Sequence, residues 1–275
     1  MAVCICDCSS RICTDIAVMQ VGKVRLIHDG GALVVHGVAL LLTIADKDFF
    51  WKTDQGILLV VTELIALVAH LYYLLYSPYN FLKYRSINDA IDNAEWNEGK
   101  WLEYSFSATT GTLATFVSGG QATTPYIVVI VLLGLVQQSY IGKAIDDLNT
   151  KRPIEELWLL CLIAWCIQVF EFAVVGTFNA QLGVFLIYIF AWSSFGLLAT
   201  WQLYQRRNKL NEEQKQRLVQ ITESWYSFLS YLAKLSVFAA VWAASRPNRY
   251  NWLVGIAVVG SFAVVTQAVM MKTAR

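Results

Sequence analysis

Eight apolar segments, each long enough or nearly long enough to cross a bilayer, divide this chain. They run roughly over 28–45, 55–77, 100–118, 125–142, 157–176, 181–204, 222–245 and 251–271. A hydrocarbon core about 30 Å thick takes about 20 residues of helix to cross. Backbone in lipid must pair its own N–H and C=O groups, which favours helices. The spacing therefore predicts an all-α, polytopic membrane helix bundle. Residues 1–27 form a cytoplasmic N-terminal segment, 28–245 the helical core, and 246–275 an extra transmembrane helix with a short tail. With 57% hydrophobic and only 15% charged residues, the 275-residue chain is not an ordinary soluble domain. A net charge of +1 points to no nucleic-acid partner.

The third and fourth segments are the weakest by hydropathy. Gly, Thr and Ser crowd 107–120, as happens where helices pack closely or surround a ligand. The N-terminus lacks the apolar core of a secretory signal, because Asp7, Arg11 and Asp15 interrupt it. Cys4, Cys6, Cys8 and Cys13 cluster there, a pattern open to metal binding, to palmitoylation or to a plain reduced tail. Cys161 and Cys166 lie in an apolar segment and read as packing residues. No metal-ligand set and no nucleophile–base motif stands out, so neither a metal site nor an enzyme is expected.

The distribution of Lys and Arg sets the expected orientation. With the N-terminus inside, the cytoplasmic face holds Arg11, Lys23, Arg25, Lys83, Arg85, Lys100, Lys143, Lys151, Arg152, the five basic residues of the loop 205–221, and Lys272 and Arg275. The opposite face holds only Lys47, Lys52, Arg246 and Arg249. The C-terminus is also cytoplasmic if 251–271 spans.

Lys234 is the one basic residue left over, and it sits near the middle of the seventh segment. A bare ammonium there costs about 2.5–3.5 kcal/mol on the insertion scale. An acidic partner, loss of the proton or covalent conversion of the amine offsets that cost. Lysine forms Schiff bases with aldehydes, and burial favours the reactive neutral amine. The other ionisable residues clearly inside segments are His36, Glu63, His70 and Glu171, with Glu103 early in the third. Helical spacing puts Glu103, Ser107 and Thr110 on one face, Ser227, Ser230 and Lys234 on another, and Glu63 with His70 on a third. Three polar faces suggest a common interior site. A Lys–Glu pair is also what a structural clamp, or the coupling pair of a retinal-free transporter, presents. Lys234 lies about twelve residues into its segment and Glu103 about three into its own. The two meet only if the third helix begins earlier, near Asn93.

Two stretches resemble the heliorhodopsins, retinal proteins of inverted membrane orientation. Trp101-Leu-Glu-Tyr-Ser-Phe-Ser107 looks like the third-helix counterion motif, and Leu229-Ser-Tyr-Leu-Ala-Lys234 like the seventh-helix retinal motif. The resemblance, running from about 28 to 245, implies a seven-helix rhodopsin-like core. It implies all-trans retinal as a protonated Schiff base on Lys234, Glu103 as counterion and Ser230 one turn from the lysine. His36 and His70 match the buried histidines of helices one and two. Trp192, Ser193 and Phe195 match the pocket wall of helix six, and Gln137 and Tyr140 pocket-side positions of helix four. The implied function is a photosensory receptor with a slow photocycle, a homodimer acting on a cytoplasmic signalling partner. The loop 205–221 is the expected readout surface. The family has seven helices, so 251–271 departs from it. Glu63 and Glu171 match no family motif and are a candidate proton path, which keeps open a light-gated proton channel or weak transporter.

The charge distribution makes a direct prediction: tags at the N-terminus and at about residue 210 are protected in intact cells and exposed by permeabilisation. Surface labelling of the N-terminal tag would overturn this topology.

Overall fold

The computed structural model describes residues 30–83, 95–120, 123–148, 150–178 and 182–245. The N-terminal cysteine cluster, the segment 1–27 and the expected eighth helix over 251–271 lie outside them. Regular structure among the described residues is helical throughout. The helices are α1 (Gly30–Ala45), α2 (Lys47–Phe50), α3 (Asp54–Lys83), α4 (Glu95–Val117), α5 (Thr124–Asp146), α6 (Ile154–Phe178), α7 (Leu182–Arg206) and α8 (Glu212–Ala244). Within them, five stretches are long and apolar enough to cross a membrane: Asp54–Tyr72, Thr124–Asp146, Ile154–Thr177, Leu182–Arg206 and Glu213–Ala244. α1 is apolar but shorter.

α4 is too polar to join that set, and its position explains why. It packs against α3, α5, α6, α7 and α8, so it faces protein on most sides. A helix shielded from lipid needs no apolar exterior. Its side chains include buried Lys100, Glu103, Ser105, Ser107, Thr109, Thr112 and Thr115. Several of these hydroxyls bond their own helix one turn back, as Thr109 does to the Ser105 carbonyl at 2.6 Å. Small side chains let neighbours approach closely.

α5 is not a uniform α-helix. Pro125 sits in its first turn, and Val136–Gly142 forms a π-helical stretch. Such wide turns re-aim the side chains that follow. Gly142 ends this stretch against the Trp101 ring, where a Cβ would lie 2.2 Å from Cζ3. Having no Cβ there lets the indole approach the α5 backbone closely.

Two boundaries differ from the hydropathy reading. Most of the expected loop 205–221 is helical. α7 ends at Arg206 and α8 begins at Glu212, started by a capping box: Asn211 Oδ1 accepts from the Gln214 amide and Gln214 Oε1 from the Asn211 amide. At 33 residues α8 is about 50 Å long, more than a bilayer core requires. Charged first turns cannot be seen as part of a spanning segment by hydropathy, yet the helix continues through them. α4 likewise starts at Glu95, before the apolar segment begins.

Candidate functional site

α4 and α8 bring Glu103 beside Lys234. The Lys234 ammonium donates to Glu103 Oε1 and, at 2.7 Å, to Ser230 Oγ. It also stands 5.5 Å from the centroid of the Tyr104 ring. Lys234 is 5% exposed and Glu103 6%, so the pair is shielded from solvent. Glu103 Oε2 has no hydrogen-bond partner among the described residues.

Lys234 lines a cavity whose open space, with the solvent at its mouth included, is about 680 Å³; its partner Glu103 is not in the lining. Trp101, Tyr104, Trp192, Phe195 and Tyr226 supply flat aromatic walls, and Ser107, Ser230 and Lys234 a polar side. Ser107 Oγ is buried without a hydrogen-bond partner among the described residues. α8, carrying Lys234, packs on α3, α4 and α7; α5 and α6 close the cavity with Gln137, Gln138 and Gln168. The expected pocket residues Ser107, Ser230, Trp192, Phe195 and Gln137 thus lie together in the lining.

Two others do not. Tyr140 is 52% exposed, and its hydroxyl accepts from Arg152 at 3.0 Å. Gln137, Gln138, Ile141, Gly142 and Ile145 share the cavity face at helical spacing, which leaves Tyr140 on the opposite side of α5. Ser193 follows Trp192 on α7 and is half-buried outside the lining, since neighbouring residues on a helix point about 100° apart.

His36, Glu63 and His70 form a separate buried cluster between α1 and α3. His36 Nδ1 lies 2.5 Å from Glu63 Oε2, and the two imidazoles stack at 5.5 Å. None of the three is in the cavity lining. Thr110 turns from the cavity and takes a 2.8 Å bond from Thr62 of α3. Glu171 is 1% exposed and lies 3.4 Å from Gln168 Nε2 and 3.5 Å from Tyr188 Oη. Through Gln168 it reaches the cavity wall.

A third charged cluster escaped the sequence reading. Lys100, counted above as a cytoplasmic loop charge, is 1% exposed. Its ammonium donates to Asp146 Oδ2 at 2.5 Å and Glu223 Oε1 at 2.6 Å. Trp101 Nε1 and Gln202 Nε2 also donate to Asp146, at 3.1 and 3.0 Å, and Tyr226 donates to Gln202 at 3.2 Å. Arg206 donates to the Ile145 carbonyl at 2.5 Å beside it. A signal did exist: Glu223 extends the Ser227–Ser230–Lys234 face by one turn, and Lys100 precedes Glu103 by three residues. Both sit at the very start of an apolar segment, where a charge reads as the end of a loop.

The two lysine sites fit one geometry. From Glu223 to Lys234 α8 rises about 16 Å, and from Lys100 to Glu103 α4 rises about 4 Å. Each lysine leans toward its own helix N-terminus, which takes up the difference. Tyr104 and Tyr226 bridge the two levels: Tyr104 Oη donates to the Tyr226 carbonyl at 2.8 Å, and both rings line the cavity.

Against known proteins, the chain matches no family model, no curated protein and no solved structure. Among the described residues, no group of His, Cys, Asp and Glu is placed to hold a metal ion.

The Lys100 cluster carries a prediction of its own. Lys100→Met leaves two buried carboxylates without their cation and should cost about 3–5 kcal/mol of stability in detergent, read by thermal or denaturant unfolding. The triple variant with Asp146→Asn and Glu223→Gln should recover most of that loss. A cost below about 1 kcal/mol for Lys100→Met would mean that the cation does not hold this end of the bundle together.

Proposed function

We propose that this protein is a light-absorbing retinal protein, a photosensory receptor of the kind the heliorhodopsin resemblance implies. The observation that carries the reading is the single amine inside an aromatic cavity, held against one carboxylate: Lys234 with Glu103. The residues suit such a chromophore. The cavity's aromatic walls match a flat polyene, and Lys234 is the side chain that joins an aldehyde. When bound, retinal supplies absorption of visible light and a light-driven change of shape and charge position.

The chain's own residues then have defined roles. Lys234 holds the chromophore covalently. Glu103 offsets the positive charge on the linking nitrogen and keeps its proton in place. Ser230 orients that nitrogen through its 2.7 Å contact. Trp192 and Phe195 confine the polyene from the α7 side. Tyr104, Tyr226 and Trp101 connect the cavity to the Lys100 cluster, a route by which a change in cavity shape reaches the end of the bundle. We place that end in the cytoplasm, on the Lys and Arg distribution, and take α1 and α4 as membrane-crossing helices too, which makes a seven-helix core. The first turns of α8 and the connection 207–211 then form the readout surface toward a signalling partner.

A second reading, a light-gated proton channel, draws support from one contact. Glu171 touches Gln168 of the cavity wall, so a buried acid lies next to the chromophore site. His36, Glu63 and His70 supply further proton-binding groups between α1 and α3.

Protein expressed with all-trans retinal should show a visible absorption band, and Lys234→Ala should be colourless. Glu103→Gln should shift the band strongly or abolish it at neutral pH. An unchanged spectrum in Lys234→Ala would sink the assignment. Voltage-clamp recording under illumination separates the two readings. The receptor gives no sustained current in well-expressed, coloured cells. A passive current that reverses with the proton gradient and disappears in Glu171→Gln would establish the channel instead.

A further inference from the structure

The cavity wall across from Lys234 is not hydrocarbon, and the hydrogen bonds behind it determine what it presents. Gln137 and Gln138 of α5 and Gln168 of α6 line it. The Ala164 carbonyl can only accept, so the Gln137 nitrogen, 3.1 Å away, must face it. The same nitrogen stands 3.3 Å from Gln168, which must therefore turn its oxygen toward Gln137. The Gln168 nitrogen is then left for Glu171 Oε2, at 3.4 Å. Tyr188 Oη lies 3.5 Å from that carboxylate oxygen and 3.4 Å from Thr112 Oγ1. The relay runs one way, from Gln137 through Gln168 to Glu171. The Gln137 nitrogen faces two acceptors, that of Gln168 faces Glu171, and the Gln168 oxygen is an acceptor already in use. Of the relay's own groups, the Gln137 amide oxygen, an acceptor, is the one left over, with the Gln138 amide beside it in the wall.

A purely hydrocarbon ring filling this end would strip water from that oxygen and return nothing, and an unmet buried acceptor costs more than a made hydrogen bond contributes. A hydroxyl would donate. We infer that the preferred occupant of the cavity is a retinal-like aldehyde bearing a hydroxyl group on its ring, recognised by the Gln137 amide oxygen that the Gln168–Glu171 relay holds in place. This rests on the retinal reading and refines it. Attachment itself is unaffected: the aldehyde carbon forms a C=N bond to Lys234 Nζ, the C=O bond breaks, and its oxygen leaves as water. The ring hydroxyl takes no part in that step.

The test is a titration of apoprotein, produced without retinal and held in detergent. All-trans retinal is compared with all-trans retinal hydroxylated on its ring, following growth of the visible band. The hydroxylated aldehyde should half-saturate the protein at about tenfold lower concentration, the effect of one added hydrogen bond. Gln137→Leu should erase the difference by weakening only the hydroxylated ligand. Equal half-saturation in the wild-type protein, or a preference that survives in Gln137→Leu, would overturn the inference while leaving the retinal reading in place. The wild-type comparison needs no variant, so it decides even if Gln137→Leu fails to fold. A protein that colours with neither aldehyde would overturn the retinal reading and this refinement together.

Discussion

An ammonium group sealed inside a helix bundle has to be balanced where it sits, and the pairing of Lys234 with Glu103 meets that requirement. Much of the architecture around it can be derived from this demand. The carboxylate must come from a helix shielded from lipid, and α4, packed on five neighbours, is that helix. A central helix is free to carry Ser, Thr and charged residues that would be costly on a lipid-facing one. The polarity of α4 and its central place are therefore one fact seen twice. Buried pairs of this kind are weak contributors to net stability, because desolvation consumes most of the attraction. Their presence in an apolar chain points to a role other than holding the fold together.

Charge in this bundle is grouped rather than scattered. Lys234 lines the cavity and pairs with Glu103; Lys100, Asp146 and Glu223 form a second group; His36, Glu63 and His70 sit apart between α1 and α3. Glu171 stands alone behind the amide wall. The aromatic residues between the first two groups touch both. Trp101 lines the cavity with its ring and donates its N–H to Asp146; Tyr226 lines it and lies 4.8 Å from Lys100 Nζ. Any movement of these rings changes the contacts of the charged cluster, which gives the cavity a mechanical connection to the solvent-facing end of α8.

How much of this was legible in the sequence depends on the physics that placed each residue. The helical class and most helix positions followed from hydropathy, since burial in lipid leaves a strong mark on composition. Lys234, Glu103 and Ser230 were legible because a lone charge at helical spacing in an apolar run has few explanations. Lys100 and Glu223 were not, because they lie at apolar segment ends, where a charge reads as loop. The capping box at Asn211 and the early start of α4 moved those ends. Tyr140 was misplaced because the resemblance assigned it to the pocket, whereas helical spacing from Gln137, Gln138 and Ile141 puts it on the other side of α5. Ser193 shows the same limit on a smaller scale: adjacency in a motif does not put two helical residues on one wall.

The central claim is chemical, that Lys234 is the attachment point of a retinal-type aldehyde. Borohydride reduction of the pigment converts the C=N bond to a stable amine, and mass spectrometry of the digested protein then locates the retinyl group. The account predicts the added mass on the peptide containing Lys234, with no other lysine carrying it. A retinyl group on a different lysine, or none on protein purified after growth with retinal, would contradict it.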